Sequence, residues 1–243
     1  MTSDPTPPTP CASAPLPATG PTYAAIADAV THAVDGRALL THPFYQRWEA
    51  GELAPGELAE YAVHYRAFEE ALPQILAVVV GDLEASGEHR AAALVAQNLA
   101  DELGRPEPHL ALFDRFADAI PAEAPVSATS PGPAAQRLVA TYRDLVEEGP
   151  VAALAGLAAY ETQASPIAHT KGDGLRRWYG MDEEGTEFWD VHADMDADHG
   201  DWALDALALL HADPAEVGQS ARRGAAAWWA FLDERQAGAA QAA

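Results

Sequence analysis

The segment His192-Ala-Asp-Met-Asp196-Ala-Asp-His199 sets two imidazoles and a carboxylate at positions i, i+4 and i+7 of a predicted long helix over about 184–211. At about 100° per residue these side chains fall within roughly 60° of one another around the helix axis. Two arrangements satisfy such a stripe. It is a solvated face, since Asp190, Asp194 and Asp198 make the neighbourhood acidic, or it is one wall of a metal site. The second arrangement requires further ligands converging from other elements, because isolated buried ligands are costly. It therefore demands a bundle.

The rest of the chain is built to supply one. Its 243 residues are 49% hydrophobic, rich in Ala and Leu with few long β-branched runs, which predicts an all-α single domain. Helices are expected over 23–35, 55–83 with a kink at Pro73, 87–103, 109–119, 134–147, 150–169 interrupted at Pro166, a short piece at 172–179, then 184–211 and 214–235, seven or so in a bundle. A turn region is expected around Gly36 and His42-Pro43, and a Pro/Ser/Gly-rich loop at 121–133. Residues 1–21 are Pro/Thr/Ser-rich low complexity, expected to be disordered, and 238–243 are expected to fray, leaving 22–237 as the domain.

Net charge excludes some partners. At −23, with a pI near 4.5, the chain is poorly suited to nucleic acid or an anionic membrane. No apolar run of about twenty residues and no basic-then-apolar leader is visible, so a cytoplasmic protein is expected. Cys11 is the only cysteine, which excludes an intramolecular disulfide and a Cys-based zinc cluster.

Three further residues stand where a metal would explain them. Glu102 in NLADELG is followed seven residues later by His109, and Glu161 sits in the apolar run LAAYETQASPIA. Each has an ordinary alternative: His109 as a loop histidine near a helix start, Glu161 as a cap or a partner of Arg176 or Arg177. Helix-borne Glu combined with Glu/His pairs on facing helices is, however, how carboxylate-bridged di-iron bundles are made.

The ordered combination of Glu102 and His109, Tyr160-Glu161, and His192/Asp196/His199 resembles the haem-oxygenase-like di-iron oxidases and oxygenases. These bind no haem and share a seven-helix TenA/PqqC-like bundle. The likeness is greatest to the branch of the Chlamydia protein associating with death domains. It extends through HPFYQRWEAGELAPGELAEYAVHY at 42–65, NLADELG at 98–104, YETQASPIAHTKGDGLRRWYG at 160–180 and the long helix beyond, about residues 23–210 in all.

The resemblance implies that Glu102, His109, Glu161, His192, Asp196 and His199 hold two irons, or manganese in place of iron, with O2 as cosubstrate. Mixed N/O ligation rich in carboxylate suits those metals. It also implies a small amine- or amino-acid-like substrate that is desaturated, N-oxygenated or cleaved, with an external electron donor. The Chlamydia-type branch instead consumes one of its own tyrosines to make p-aminobenzoate, with a lysine as amino donor. Those positions match Tyr45 and Lys171, and a pocket tyrosine matches Tyr160. The pattern departs in two places: a further pocket tyrosine is Phe188 here, and a paired-aromatic stretch is Arg66-Ala-Phe-Glu-Glu.

Tyr45 with Trp48 also reads as a packing pair at i, i+3, and Lys171 as a surface residue near a helix end. The rivals are few. A thiaminase-like hydrolase needs a pocket cysteine, which Cys11 does not offer. A haem enzyme would use His32 or His42 as axial ligand and, like a metal-free cofactor oxidase, would leave the six-residue set unexplained. A non-enzymatic interaction module remains. Dimerisation is common in relatives, and Trp228-Trp229 would lie in such an interface or pack over the bundle's end.

Overall fold

The computed structural model describes residues 21–104, 107–121 and 129–242, with backbone alone at 21–22, 196–197 and 239–242. Of the tail expected over 1–21, Pro21 begins α1, and the rest of it, with Cys11, most of the 121–133 loop and the Asp196 side chain, lies outside the described residues. Among those described there are nine α-helices, one 3-10 turn at Leu39–Thr41 and no strand. They are α1 Pro21–Val34, α2 Pro43–Ala50, α3 Pro55–Ser86, α4 His89–Gly104, α5 His109–Ala119, α6 Pro133–Glu148, α7 Pro150–Tyr179, α8 Glu183–Leu209 and α9 Pro214–Ala242. Seven have 14 residues or more and two are shorter, α2 and α5. The all-α reading holds.

Prolines and glycines punctuate the chain as their backbones require. Six helices begin on proline, whose missing N–H is an orphan at that position anyway. Gly51, Gly87 and Gly180 close α2, α3 and α7 at φ of 72°, 83° and 66°, the left-handed region that glycine enters without strain.

Three expectations are corrected. The His42-Pro43 turn region is the start of α2: the His42 ring accepts from Phe44 N at 3.1 Å and caps the helix that carries Tyr45 and Trp48. Helix α7 does not break at Pro166; it runs on for 30 residues and absorbs the separate piece expected at 172–179. Pro166 and Thr162, whose carbonyl loses its partner, both face solvent. Water can satisfy that carbonyl, so packing on the opposite face carries the helix through. Helix α9 likewise continues past the end expected at 235, to Ala242.

Helix α7 is the central post, packed against α8, α9 and α6, while α8 also meets α4 and α5. Small residues permit this closeness. A Cβ added to Gly224 on α9 would lie 2.7 Å from the Gly156 carbonyl oxygen of α7, and one added to Gly200 on α8 would lie 3.3 Å from Glu161 and Thr162. Gly200 thus brings α8 against α7 beside two of the candidate ligands. Trp228 is fully buried, stacked on Tyr160 at 4.2 Å and donating to the Tyr142 hydroxyl at 3.1 Å. It packs the core. No described helix is long and apolar enough to cross a membrane.

Candidate metal centre

Helix α8 presents two faces. Asp194 and Asp198 are exposed, whereas His192 and His199 point inward and are buried. The solvated-face alternative therefore does not describe the two histidines. Glu102 at the end of α4, His109 at the first position of α5 and Glu161 in mid-α7 are also buried. Donor atoms of Glu102, His109 and His192 lie within 4.8 Å of one another. His109 Nδ1 is 3.0 Å from Glu102 Oε2, and the His109 and His192 ring centroids are 4.5 Å apart.

The two arginines considered for Glu161 are engaged elsewhere. Glu161 Oε1 accepts from Asn98 Nδ2 at 2.9 Å, while Arg176 pairs with Asp190 and Arg177 lies over the Trp178 ring at 4.4 Å. Burial pushes the Glu102 carboxyl up, but the bond from His109 and the nearby His192 and His199 outweigh this and hold it below the usual range. The carboxylate is ionised among imidazoles. His192 Nδ1 donates to the Phe188 carbonyl oxygen at 2.7 Å, which places the lone pair of the ring on Nε2. His199 Nε2 faces Asp101 Oδ2 at 3.4 Å.

Glu102, Glu161, His192 and His199 line one cavity of about 20 Å³, room for a single water-sized molecule. Buried nitrogen and oxygen donors of this kind fit iron or manganese. Tyr65 and Tyr160 line the same cavity and join through their hydroxyls at 2.7 Å.

From Tyr65 a second polar cluster begins. Its ring stacks on Tyr61 at 5.2 Å, the Tyr61 hydroxyl lies 3.1 Å from that of Tyr45, and Lys171 Nζ donates to Tyr61 at 2.8 Å. Lys171 is not a surface residue. It is 2% exposed, with its nitrogen 4.4 Å from the Tyr45 ring centroid and 4.3 Å from that of Trp189. Tyr45 does pack against Trp48, but as one wall of this box. Burial raises the Tyr45, Tyr61 and Tyr65 hydroxyls well above the ordinary tyrosine range.

The histidines considered as haem ligands have other work. His32 is exposed on α1, and His42 uses both ring nitrogens, one on Phe44 N and one toward Asp233 at 3.2 Å.

Four participants were not read from the sequence: Glu69, Asp101, Tyr61 and Tyr65. Glu69 lines the cavity shared by Glu102, Glu161, His192 and His199. Its signal is phase: it sits four residues after Tyr65 and three before Leu72, in the buried register of α3.

A model of a family described as iron-containing redox enzymes matches residues 59–232. The chain belongs to that family. Within its reach, a 4-aminobenzoate synthase of Nitrosomonas europaea is 37% identical over 212 residues, 82% of this chain and 86% of that protein. A 4-aminobenzoate synthase of Chlamydia trachomatis is 29% identical over 209 residues, 82% and 87% of the two chains.

Among solved structures, a TenA homologue from Pseudomonas syringae superposes with a TM-score of 0.70 at 16% identity, over 89% of this chain and 97% of that one. A CADD-like protein from Nostoc punctiforme gives 0.64 at 18%, over 85% and 96%. At such identities these two show the shared haem-oxygenase-like fold. The family membership makes the chain an iron-containing oxidoreductase.

Proposed function

We propose that this chain is an O2-dependent di-iron enzyme that forms 4-aminobenzoate from its own residues, with Tyr45 the consumed tyrosine and Lys171 the amino donor. One observation carries the reading: the Lys171 nitrogen is held against the Tyr45 ring inside a sealed aromatic box. Two relatives with the name 4-aminobenzoate synthase support it.

Glu102, His109, Glu161, His192, Asp196 and His199 would hold the two metal ions, iron or manganese. When bound, that pair supplies activation of O2, with electrons from an external donor. The protein's own groups do the rest. Trp48 and Trp189 wall the pocket and exclude water from Lys171. The Tyr61 oxygen accepts from Lys171 and shares a bond with Tyr45, fixing both consumed groups. Burial keeps the Tyr45 phenol protonated, and the Tyr61 hydroxyl is its hydrogen-bond partner. Tyr65 and Tyr160 connect the box to the metal cavity.

Intact-mass measurement tests this. Protein loaded with ferrous iron and exposed to O2, without added substrate, is expected to lose the Tyr45 side chain and release no more than one 4-aminobenzoate per chain. Lys171→Arg is expected to keep its iron and release none. An unchanged mass, with iron oxidation accelerated by one amino acid from a panel, overturns the reading in favour of an external substrate.

A further inference from the structure

The box that encloses Tyr45 and Lys171 is walled by helices of very different length. Tyr61 and Tyr65 stand on α3, Lys171 on α7 and Trp189 on α8, each helix 27 residues or longer. Tyr45 and Trp48 stand on α2, which has only 8 residues. Tyr45, Trp48, Tyr61, Lys171 and Trp189 are each no more than 2% exposed. A flat aromatic acid formed among them cannot leave until one wall moves. The long helices are held along many turns, so the short one opens most easily.

Helix α2 is held chiefly by its core face, through the buried side chains Phe44, Tyr45 and Trp48. Its ties at the rim each involve a group in contact with solvent. His42 meets Asp233 at 3.2 Å, Arg47 meets Glu57 at 2.8 Å, and the Trp178 indole donates to the Glu49 carbonyl at 3.0 Å. Ion pairs in contact with water contribute little. Inside, the Tyr45 ring packs on Phe44 and Tyr61, its hydroxyl lies 3.1 Å from that of Tyr61, and the Lys171 nitrogen stands 4.4 Å from its centre. The helix ends on Gly51 at φ 72°, and the link over 51–54 joins it to α3. A glycine there absorbs a change of backbone direction that other residues resist.

On the self-sacrificing reading above, which this deepens, we propose that α2 is the door by which the product leaves and that the reaction itself unlatches it. While Tyr45 is intact, its ring pins α2 to α3 and α7. Once that ring has become part of the product, one of the three buried anchors of α2 is gone. The aromatic face against which Lys171 was held goes with it. Losing a buried aromatic ring raises the population of the open helix by about a hundredfold or more. The closed box thus keeps water out during the chemistry, and the door loosens only after the product has left the chain. A spent chain stays loosened.

Amide hydrogen exchange tests this, read by mass spectrometry on peptides covering 43–50, before and after ferrous-loaded protein meets O2. The 4-aminobenzoate in the protein-free filtrate is measured alongside. Unreacted protein is expected to exchange slowly at α2. Spent protein should exchange there about a hundredfold faster or more, with α7 and α8 unchanged and its product in the filtrate. Metal-free Tyr45→Ala, which lacks the ring from the start, should show the same loosened α2 relative to metal-free wild type, and Tyr45→Phe should stay closed. Tyr45→Leu, which keeps part of the packing, should fall between them and serves if the alanine variant does not fold. Product that forms but stays bound, or spent protein whose α2 exchanges as slowly as before, overturns the proposal. So does a ringless variant protected at α2 like wild type, or one loosened equally in every helix. Wild type that loses no mass and yields no 4-aminobenzoate is a different failure. It removes the self-sacrificing reading, and with it the product that the door would release.

Discussion

At the scale of single residues, orientation matters as much as identity. Two of the candidate ligands are aimed by groups that are not ligands themselves. The Phe188 carbonyl fixes which nitrogen of His192 carries the proton, a role that belongs to the backbone and is indifferent to a phenylalanine standing where relatives of the Chlamydia type have tyrosine. Asp101, one residue before Glu102, faces His199 across 3.4 Å. A carboxylate behind a ligating imidazole raises its basicity and holds its ring. Asp101→Asn is therefore expected to weaken ferrous binding by about tenfold or more while leaving the helical content unchanged. Chelator competition measures the first and circular dichroism the second; wild-type affinity in the variant would remove Asp101 from the site.

At the scale of elements, the site depends on how closely α7 approaches its neighbours. Glycines decide that distance. Gly224→Ala would drive a methyl group to 2.7 Å from a backbone oxygen of α7, which cannot swing aside as a side chain can. Overpacking of this kind costs about 1–3 kcal/mol, so the urea midpoint is expected to fall, with iron binding per folded molecule little changed. Gly200→Ala is the informative contrast. Its methyl group would meet α7 backbone at 3.3 Å beside Glu161. A shift of a few tenths of an ångström relieves that contact but moves His199 away from Glu161. The expected outcome is a small loss of stability and a larger loss of ferrous affinity. Equal effects of the two glycine variants on iron would argue against α7–α8 spacing as the controlling distance.

At the scale of the whole molecule, the chain joins an acidic surface to a core that keeps several titratable groups out of water. His64 on α3 shows the consequence for stability. Its ring is buried, Nδ1 accepts from Gly132 N at 2.7 Å, and burial together with Arg235 lowers its pKa to about 4. The unfolded chain, at the ordinary 6.5, takes up this proton first as the pH falls. The contribution of neutral His64 is therefore complete above about 6.5 and is lost progressively between there and about 4, at up to ~1.4 kcal/mol per pH unit. Urea melts at pH 7 and pH 5 should show a larger loss for wild type than for His64→Gln, and equal losses would contradict the assignment.

How much was legible in advance follows from the range over which each signal acts. Periodicity and punctuation are local. The Pro and Gly positions placed most helix ends to within a few residues, and the 3.6-residue phase put His192, Asp196 and His199 on one stripe. The apolar setting of Glu161 marked it as out of place. By itself, the sequence thus determined an all-α chain carrying ligand-type residues on separate helices, because both properties depend on neighbours within two or three turns. Other facts depend on what lies across the bundle. Whether Pro166 breaks α7 is decided by which side faces water. Whether Lys171 is a surface residue is decided by Tyr45, Tyr61 and Trp189, brought to it from α2, α3 and α8. Glu69 comes to line the same cavity as Glu102, Glu161, His192 and His199 only when α3 packs beside α4 and α7. Burial and cavity size are properties of contacts between residues distant in the chain, and only the tertiary structure decides them.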